Sequence, residues 1–426
     1  MDKESLYRHF QESSGVCTDT RHIGDNCLFF ALRGDNFNGN MFAQEALDKG
    51  ARTVVVDEEQ YHKTTGETFL VENTLLALQE LAHFHRKNIS TKIIALTGSN
   101  GKTTTKELIN AVLSQNYITV ATKGNLNNHI GVPLTLLSIG RETEFGIIEM
   151  GANHLGEIKM LSDISQPDYG YITNFGKAHL EGFGSLDGVI RGKTELYSVL
   201  KQLEKQAFVN ANDAKQMERS KDISRITFGT PHSDFDITLV DAHNKLVLKF
   251  DNTLIYSNLV GVYNFVNISA AIAIGAYFNI PTEKIKSGIE SYIPSNNRSQ
   301  LLQKQSNTIL MDAYNANPTS MMAALENFKQ AEGENKILFL GDMFELGADA
   351  DLEHQGIVDF LSENAFGQVY LVGENFFKTT SHVSHISRYR TFDLLRNEIN
   401  SLPPTNSTIL IKASRGMAME RILEVL

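Results

Sequence analysis

The apolar and polar positions along the chain fall into two periods. Short apolar runs bounded by glycine, asparagine or charged residues read as buried strands. Stretches with apolar residues three and four apart read as amphipathic helices. The run Ile93-Ile94-Ala95-Leu96 leads into Thr97-Gly98-Ser99-Asn100-Gly101-Lys102-Thr103-Thr104-Thr105, after which Leu108, Ile109, Val112 and Leu113 share one face. That is a strand, a glycine-bounded turn and a helix. Further strands are predicted at 53–56, 120–122, 145–151 and 169–174, and again at 308–311, 337–340, 369–372 and 409–411. Helices are predicted at 42–49, with Gly50 as its cap, and at 74–87. Another carries Pro133 in its first turn, one starts at 189–197, and an alanine-rich one opens at 261–271. Asn317 as cap, with Pro318 at the first helical position, starts one more. Residues 202–258 read as two or three strands with polar turns and no chemistry. Strands alternating with helices predict an α/β chain with mainly parallel sheets and crossover helices.

Length and charge narrow this picture. A chain of 426 residues suggests three domains, at roughly 150 residues each. The pattern divides it at 1–88, 89–293 and 294–426, with no internal repeat. The apolar fraction of 42% supports ordinary packed cores. A net charge of −11 argues against nucleic acid or an anionic membrane as partner. An anionic substrate must then be met by locally placed cations. No apolar run reaches the length of about 18 residues that a membrane span needs, and the opening Asp2-Lys3-Glu4-Ser5 is unlike a signal peptide. Cys17 and Cys27 are the two cysteines, which points to a reduced, cytoplasmic setting, with both read as buried small apolar residues.

Candidate chemistry gathers at the predicted strand ends. In the turn Gly98 to Thr104, glycines let backbone N–H groups face an anion, and the helix N-terminus adds positive potential. Lys102 would reach terminal phosphates and the Thr103 hydroxyl would hold Mg²⁺. Leu96 stands where the common phosphate loop has its first glycine, so Gly98 opens a shorter loop. The polar loop from Lys123 through Asn127 and Asn128 to Pro133 could place a lysine and several amides beside the phosphates. Glu149 closes a buried strand at the edge where ligands of open α/β sheets bind, and is a candidate Mg²⁺ ligand. His179 follows the next such strand, as a further ligand or a structural hydrogen bonder. Lys193, by composition, reads as a solvated lysine. Asn264 and Asn267 share a helix face and could read an adenine edge or cap the helix. Asp19-Thr20-Arg21 and Arg33-Gly34-Asp35 could bind a diphosphate or sugar, or form surface turns with local ion pairs. In the last third, Asp312 to Asn317, Gly341 to Gly347 and Lys412 to Gly416 put polar residues at three strand ends, a second surface facing the nucleotide.

Taken together, these motifs resemble the Mur ligase family along the whole chain. The Thr-Gly-Ser-Asn-Gly-Lys-Thr-Thr loop marks the superfamily, which includes folylpolyglutamate synthases. The loops at 123–133, 174–185, 312–320 and 341–347 resemble the members that add D-alanyl-D-alanine. The Asp-Asn-Pro-Arg signature of the diaminopimelate- or lysine-adding members is absent. The resemblance implies a small N-terminal α/β domain binding UDP, a central phosphate-loop domain with a parallel sheet, and a C-terminal Rossmann-like domain. It implies an ATP- and Mg²⁺-dependent ligase of peptidoglycan precursor synthesis. ATP would phosphorylate the carboxylate of UDP-N-acetylmuramoyl-tripeptide, and the amine of D-alanyl-D-alanine would attack the acyl phosphate. By the family's motifs, Lys102 meets the phosphates, and Thr103, Glu149 and His179 hold metal. Lys193 would be carbamylated and hold a second Mg²⁺. Adenine and ribose contacts fall on Asn264, Asn267, Arg298 and Asp312, and Tyr263 stands where relatives often have histidine. Thr20, Arg21, Arg33 and Gly34 would lie near the UDP diphosphate or sugar. Asn315, Asn317, Lys412, Ser414 and Arg415 would lie near the dipeptide or the reaction centre. The enzyme is expected to act as a cytoplasmic monomer without membrane insertion. The rival readings are a superfamily ligase adding another amino acid and a non-catalytic nucleotide-binding scaffold.

Overall fold

The computed structural model describes residues 2–229, 231–295, 297–333 and 335–426. Its largest sheet has seven strands, all parallel, in the order Phe235–Asp236, Ser224–Gly229, Gln206–Asn210, Tyr169–Ile172, Lys92–Thr97, Phe145–Glu149, Thr119–Ala121. The strand Lys92–Thr97 lies inside this sheet and is apolar on both faces. Ile93 and Ala95 join the core beneath one set of helices, while Ile94 and Leu96 pack with Leu108, Ile109 and Ile268 on the other face. Covering both faces is what turns an alternating pattern into a continuous apolar run. From this strand the chain moves first to one side of the sheet and then, at Tyr169–Ile172, to the other. Ligands bind at such a reversal of strand order, beyond the carboxyl ends.

The first part of the chain forms a four-stranded parallel sheet of Val16–Cys17, Leu28–Phe30, Thr53–Val56 and Thr68–Leu70. Cys27 is buried, whereas Cys17 is half-exposed, with its thiol donating to the carbonyl of Asp19 at 3.1 Å. The expectation of two buried cysteines therefore holds for Cys27 alone. Residues 202–258 hold more strands than the two or three expected, and these serve two purposes. Those at Gln206–Asn210 and Ser224–Gly229 extend the large sheet, while Thr238–Asp241, Val247–Phe250 and Thr253–Tyr256 build a separate antiparallel sheet.

The last part forms a six-stranded sheet in the order Gln300–Lys304, Asn307–Met311, Thr408–Lys412, Lys336–Gly341, Gln368–Val372, Ile386–Tyr389. The four apolar runs sit inside it. Its two edge strands escape the periodicity because they are only half-buried. Gln300–Lys304 pairs antiparallel and makes the sheet mixed. Leu28, Val55, Ile93, Ala95, Leu310, Leu338 and Leu410 belong to one contiguous apolar core, so the three sheets are packed through a shared interior.

Candidate active site

The phosphate-loop turn is fixed by two glycines. Gly98 has φ +144°, and a Cβ there would lie 1.9 Å from Thr173 Oγ1. Gly101 has φ +79° at the helix N-cap, and a Cβ there would lie 2.6 Å from Asn267 Oδ1. The loop is also pinned to the neighbouring strand's end, because Asn100 N–H donates to Asn174 Oδ1 at 3.0 Å and Thr173 Oγ1 donates to Asn100 O at 2.6 Å. Lys102 turns back over this loop, donating to the carbonyls of Gly98 at 2.8 Å and Ser99 at 3.3 Å. Desolvation lowers its pKa; Glu149 opposes that shift and the charge of Arg298 adds to it.

A cleft of about 700 Å³ opens above the loop. Thr103, Thr104, Glu149 and His179 all line it. Glu149 is 1% exposed. Its Oε1 accepts from Asn127 Nδ2 at 2.8 Å, and its Oε2 has no hydrogen-bond partner among the described residues. A buried carboxylate oxygen left bare is costly unless something positive meets it. No group of three His, Cys, Asp or Glu suited to a metal occurs among the described residues. Mg²⁺ does not require one, since it binds through one or two protein oxygens and completes its shell with phosphate and water. The bare Glu149 oxygen and the Thr103 side chain, lining the same cleft, fit that mode.

The strand end carrying Glu149 is braced from behind. Its N–H donates to Thr122 Oγ1 at 2.9 Å, and the Thr122 carbonyl accepts from the fully buried Lys106 ammonium. Lys106 and Thr122 gave no signal in sequence, since a lysine one turn after a phosphate loop reads as solvent-facing. His179 sits in the left-handed region at φ +54°. Its buried Nδ1 has no aligned hydrogen-bond partner, but Glu345 Oε2 stands 2.5 Å away. That contact, chiefly through hydrogen bonding to the imidazole, lowers the Glu345 pKa.

Lys193 corrects the reading from composition. It is 1% exposed, on the helix Leu186–Gln202, with Nζ donating to Ala152 O at 3.1 Å and lying 5.1 Å from the Phe183 ring centroid. Burial drives its pKa well below the usual lysine range, and the Lys102 charge adds to that. It stands behind the cleft wall, of which Ala152 is part.

On the far side, Asn267 accepts from Thr105 Oγ1 at 3.0 Å and donates to Asn264 Oδ1 at 2.9 Å. Asn264 donates to Val260 O at 2.8 Å. Both amides line the cleft from within the helix Asn264–Tyr277. Tyr263 OH lies 3.0 Å from Ser299 Oγ, and Asp312 accepts from Ser299 N–H at 3.1 Å and from Lys412 Nζ at 2.5 Å. Arg298 makes no ion pair or hydrogen bond among the described residues. Its guanidinium lies 3.5 Å from the Tyr314 ring centroid. Tyr314, assigned no role from sequence, thus holds the Arg298 guanidinium at the cleft.

Asn317 donates to Asn100 Oδ1 at 2.7 Å and caps its helix through Ser320. Asn315 is exposed at the cleft, and Lys412 also lines it. Several predicted residues are not brought in. Lys123 is exposed and outside the lining, and Asn128 reaches the cleft while spending its side chain on Ile130 and Gly131 N–H groups. Ser414 is buried, bonded to Ala316 O and Phe344 N–H. Arg415 pairs with Glu420 at 3.2 Å. Thr20 and Arg21 line a separate pocket of about 490 Å³ with Phe29, Phe37, Phe42 and Ile130. Arg21 pairs there with Asp19 at 2.6 Å. Arg33 is drawn instead to Asp57 at 3.2 Å and Glu58 at 3.5 Å, and Gly34 lies in the exposed hairpin of Arg33–Gly34 with Phe37–Asn38.

Comparison with known proteins agrees with this geometry. The chain matches the Mur ligase middle domain over residues 96–275, the Mur ligase glutamate ligase domain over 297–415 and the Mur ligase family catalytic domain over 12–86. It is 35% identical over 423 residues to the UDP-N-acetylmuramoyl-tripeptide–D-alanyl-D-alanine ligase of Bacillus subtilis, covering 96% of this chain and 92% of that protein. The Escherichia coli ligase of the same name is 34% identical over 424 residues, covering 96% and 93%. A crystal structure of MurF from Acinetobacter baumannii superposes with TM-score 0.86 at 30% identity, covering 99% and 97%. The MurF ligase of Thermotoga maritima in complex with ADP shares the fold at TM-score 0.85 and 24% identity, covering 98% of this chain and 97% of that one. With the phosphate-loop turn, the three matching domain families and relatives aligned over 96% of the chain in accord, the chain belongs to the Mur ligase family.

Proposed function

We propose that this chain joins D-alanyl-D-alanine to UDP-N-acetylmuramoyl-tripeptide at the expense of ATP, in peptidoglycan precursor synthesis. The observation that carries the reading is a single cleft in which the phosphate loop faces Asn315, Asn317 and Lys412 from another sheet. A carboxylate is a poor electrophile, so it must first gain a leaving group. The tripeptide carboxylate oxygen attacks the terminal phosphorus of ATP, and the bond to ADP breaks. The dipeptide amine then attacks the acyl carbon, phosphate leaves, and the amine loses a proton. Such transfers need charge neutralisation and alignment more than covalent help from protein.

In this reading Lys102 meets the phosphate charge, and Asn264, Asn267, Arg298 and Asp312 hold the nucleoside. Thr103, Glu149 and His179 would hold Mg²⁺, which when bound neutralises and aligns the phosphates. Desolvation lowers the basicity of the buried Lys193 amine, which suits carbamylation by carbon dioxide: the unprotonated amine forms a nitrogen–carbon bond, a proton leaves, and a carboxylate takes the amine's place. Asn315 and Lys412 would meet the dipeptide, and Thr20 and Arg21 the UDP portion. Domain limits at 1–88, 89–293 and 294–426 separate these tasks. No helix among the described residues is long and apolar enough to cross a membrane, and we place the enzyme in the cytoplasm as a monomer.

The test is phosphate release from ATP with UDP-N-acetylmuramoyl-tripeptide, with and without D-alanyl-D-alanine. Release dependent on both substrates is expected. Nucleotide binding without such release would indicate a scaffold, and release with lysine or diaminopimelate in place of the dipeptide would indicate another ligase.

A further inference from the structure

The loop Gly341 to Gly347 reaches across from the C-terminal sheet and grips the segment that carries His179. Glu345 does so twice. Its carbonyl accepts from Glu181 N–H at 3.1 Å, and its carboxylate lies 2.5 Å from His179 Nδ1. Nearby, Lys177 pairs with Glu353 at 2.5 Å and its N–H donates to Thr319 Oγ1 at 2.9 Å. The Glu345 side chain is half-exposed, sits at φ +61° and lines the cleft. A half-exposed acid held at a left-handed position contributes little to packing, so its placement calls for another reason.

A carboxylate can only accept at that nitrogen, which selects the imidazole tautomer protonated on Nδ1. The ring has only to turn onto the carboxylate to spend that proton there. The lone pair then remains on Nε2. Ligating histidines are held in this way by an acceptor on the opposite nitrogen, which fixes the tautomer and raises ligand basicity. We propose that Glu345 is a positioning residue: it fixes the His179 tautomer and orientation, so that Nε2 is presented to the metal. This rests on His179 being a ligand, as proposed above. Because Glu345 comes from a different sheet, docking of the C-terminal sheet and completion of the metal site become one event.

The experiment uses the full chain with ADP and Mn²⁺ as a paramagnetic probe, with free Mn²⁺ followed by electron paramagnetic resonance. Glu345→Ala is expected to weaken Mn²⁺ binding about tenfold to a hundredfold. Glu345→Gln, whose carboxamide oxygen accepts the same proton, should stay within about threefold of the parent, as the same acceptor geometry predicts. A merely structural role would lower the melting temperature of Glu345→Ala and leave Mn²⁺ affinity alone. His179→Ala separates the two readings. If it weakens binding while a folded Glu345→Ala does not, the positioning role is overturned and the ligand assignment stands. If His179→Ala has no effect, both fall. As a measurement independent of the Glu345 variants, ¹⁵N shifts of His179, assigned by their loss in His179→Ala, should show the proton on Nδ1. A proton on Nε2 would overturn the proposal.

Discussion

The central cleft and the N-terminal pocket both bring cations toward a cavity, yet, the Lys412–Asp312 pair of the cleft aside, they treat charge in opposite ways. In the cleft, Lys102 meets only loop carbonyls, Arg298 stacks on Tyr314, and Glu149 keeps one bare oxygen. In the pocket, Arg21 is paired with Asp19, and beside it Arg33 is drawn off to Asp57 and Glu58. The Arg21–Asp19 pair is solvent-exposed and contributes little to stability. Buried charge left unpaired is expensive, and a fold that tolerates it keeps that charge available for a ligand. On the function proposed above, the cleft carries the chemistry and the pocket a looser recognition.

The largest effect should come from the cleft. Lys102→Ala should fold normally and reduce phosphate release by at least about a hundredfold, the loss seen when one positioned transition-state donor is removed. Near-normal turnover in that variant would break the comparison outright. Next, Lys193→Ala should lose activity by roughly tenfold or more and regain part of it with added short-chain carboxylates, which replace the missing oxygen ligand. A carbamate carbon signal after exposure to labelled bicarbonate, present in the parent and absent from the variant, would identify the group directly.

Arg21→Ala should have a smaller consequence. Its guanidinium is already engaged by Asp19, so KM for the UDP-linked substrate should rise by less than about tenfold, with kcat retained, as removal of uniform binding does. A fall in kcat matching that of Lys102→Ala would erase the distinction between the two cavities.

The smallest effect concerns groups outside both cavities. His354 is fully buried; its Nε2 accepts from Met343 N–H at 3.0 Å, and its Nδ1 lies 2.7 Å from Ala350 O. Protonation at Nε2 would break the first bond. Desolvation lowers the pKa of both His354 and His85, so the fold holds them neutral. The unfolded chain takes up protons at these sites below about pH 6.5. Their contribution to stability is full above that pH and declines as the pH falls through it. Melting temperature should drop between neutral and mildly acidic pH, and His354→Gln should flatten that slope.

Much of this arrangement is written locally. Gly98, Gly101 and Lys102 follow an apolar run and precede a helical period, so the loop is legible from neighbours in sequence, although Thr173 and Asn174 pin it in place. Glu149 and His179 are legible as polar groups closing buried strands. Lys193 is not, because a lysine on an amphipathic helix reads as solvated until Phe183 and the cleft wall cover it. Arg33 and Lys123 show the converse. Their charge and position suit a phosphate, but nearby acids capture the first and solvent holds the second.

The sequence by itself determined the phosphate loop, the alternation of strands and helices, and the family, since each rests on covalent spacing and side-chain period. Tertiary structure decided which charges stay bare. Glu149 keeps its free oxygen only because Thr122 and Lys106 brace its strand from behind, and His179 faces Glu345 only because two sheets share one interior. Burial and desolvation depend on what packs over a group, and residues far apart in the chain supply that covering.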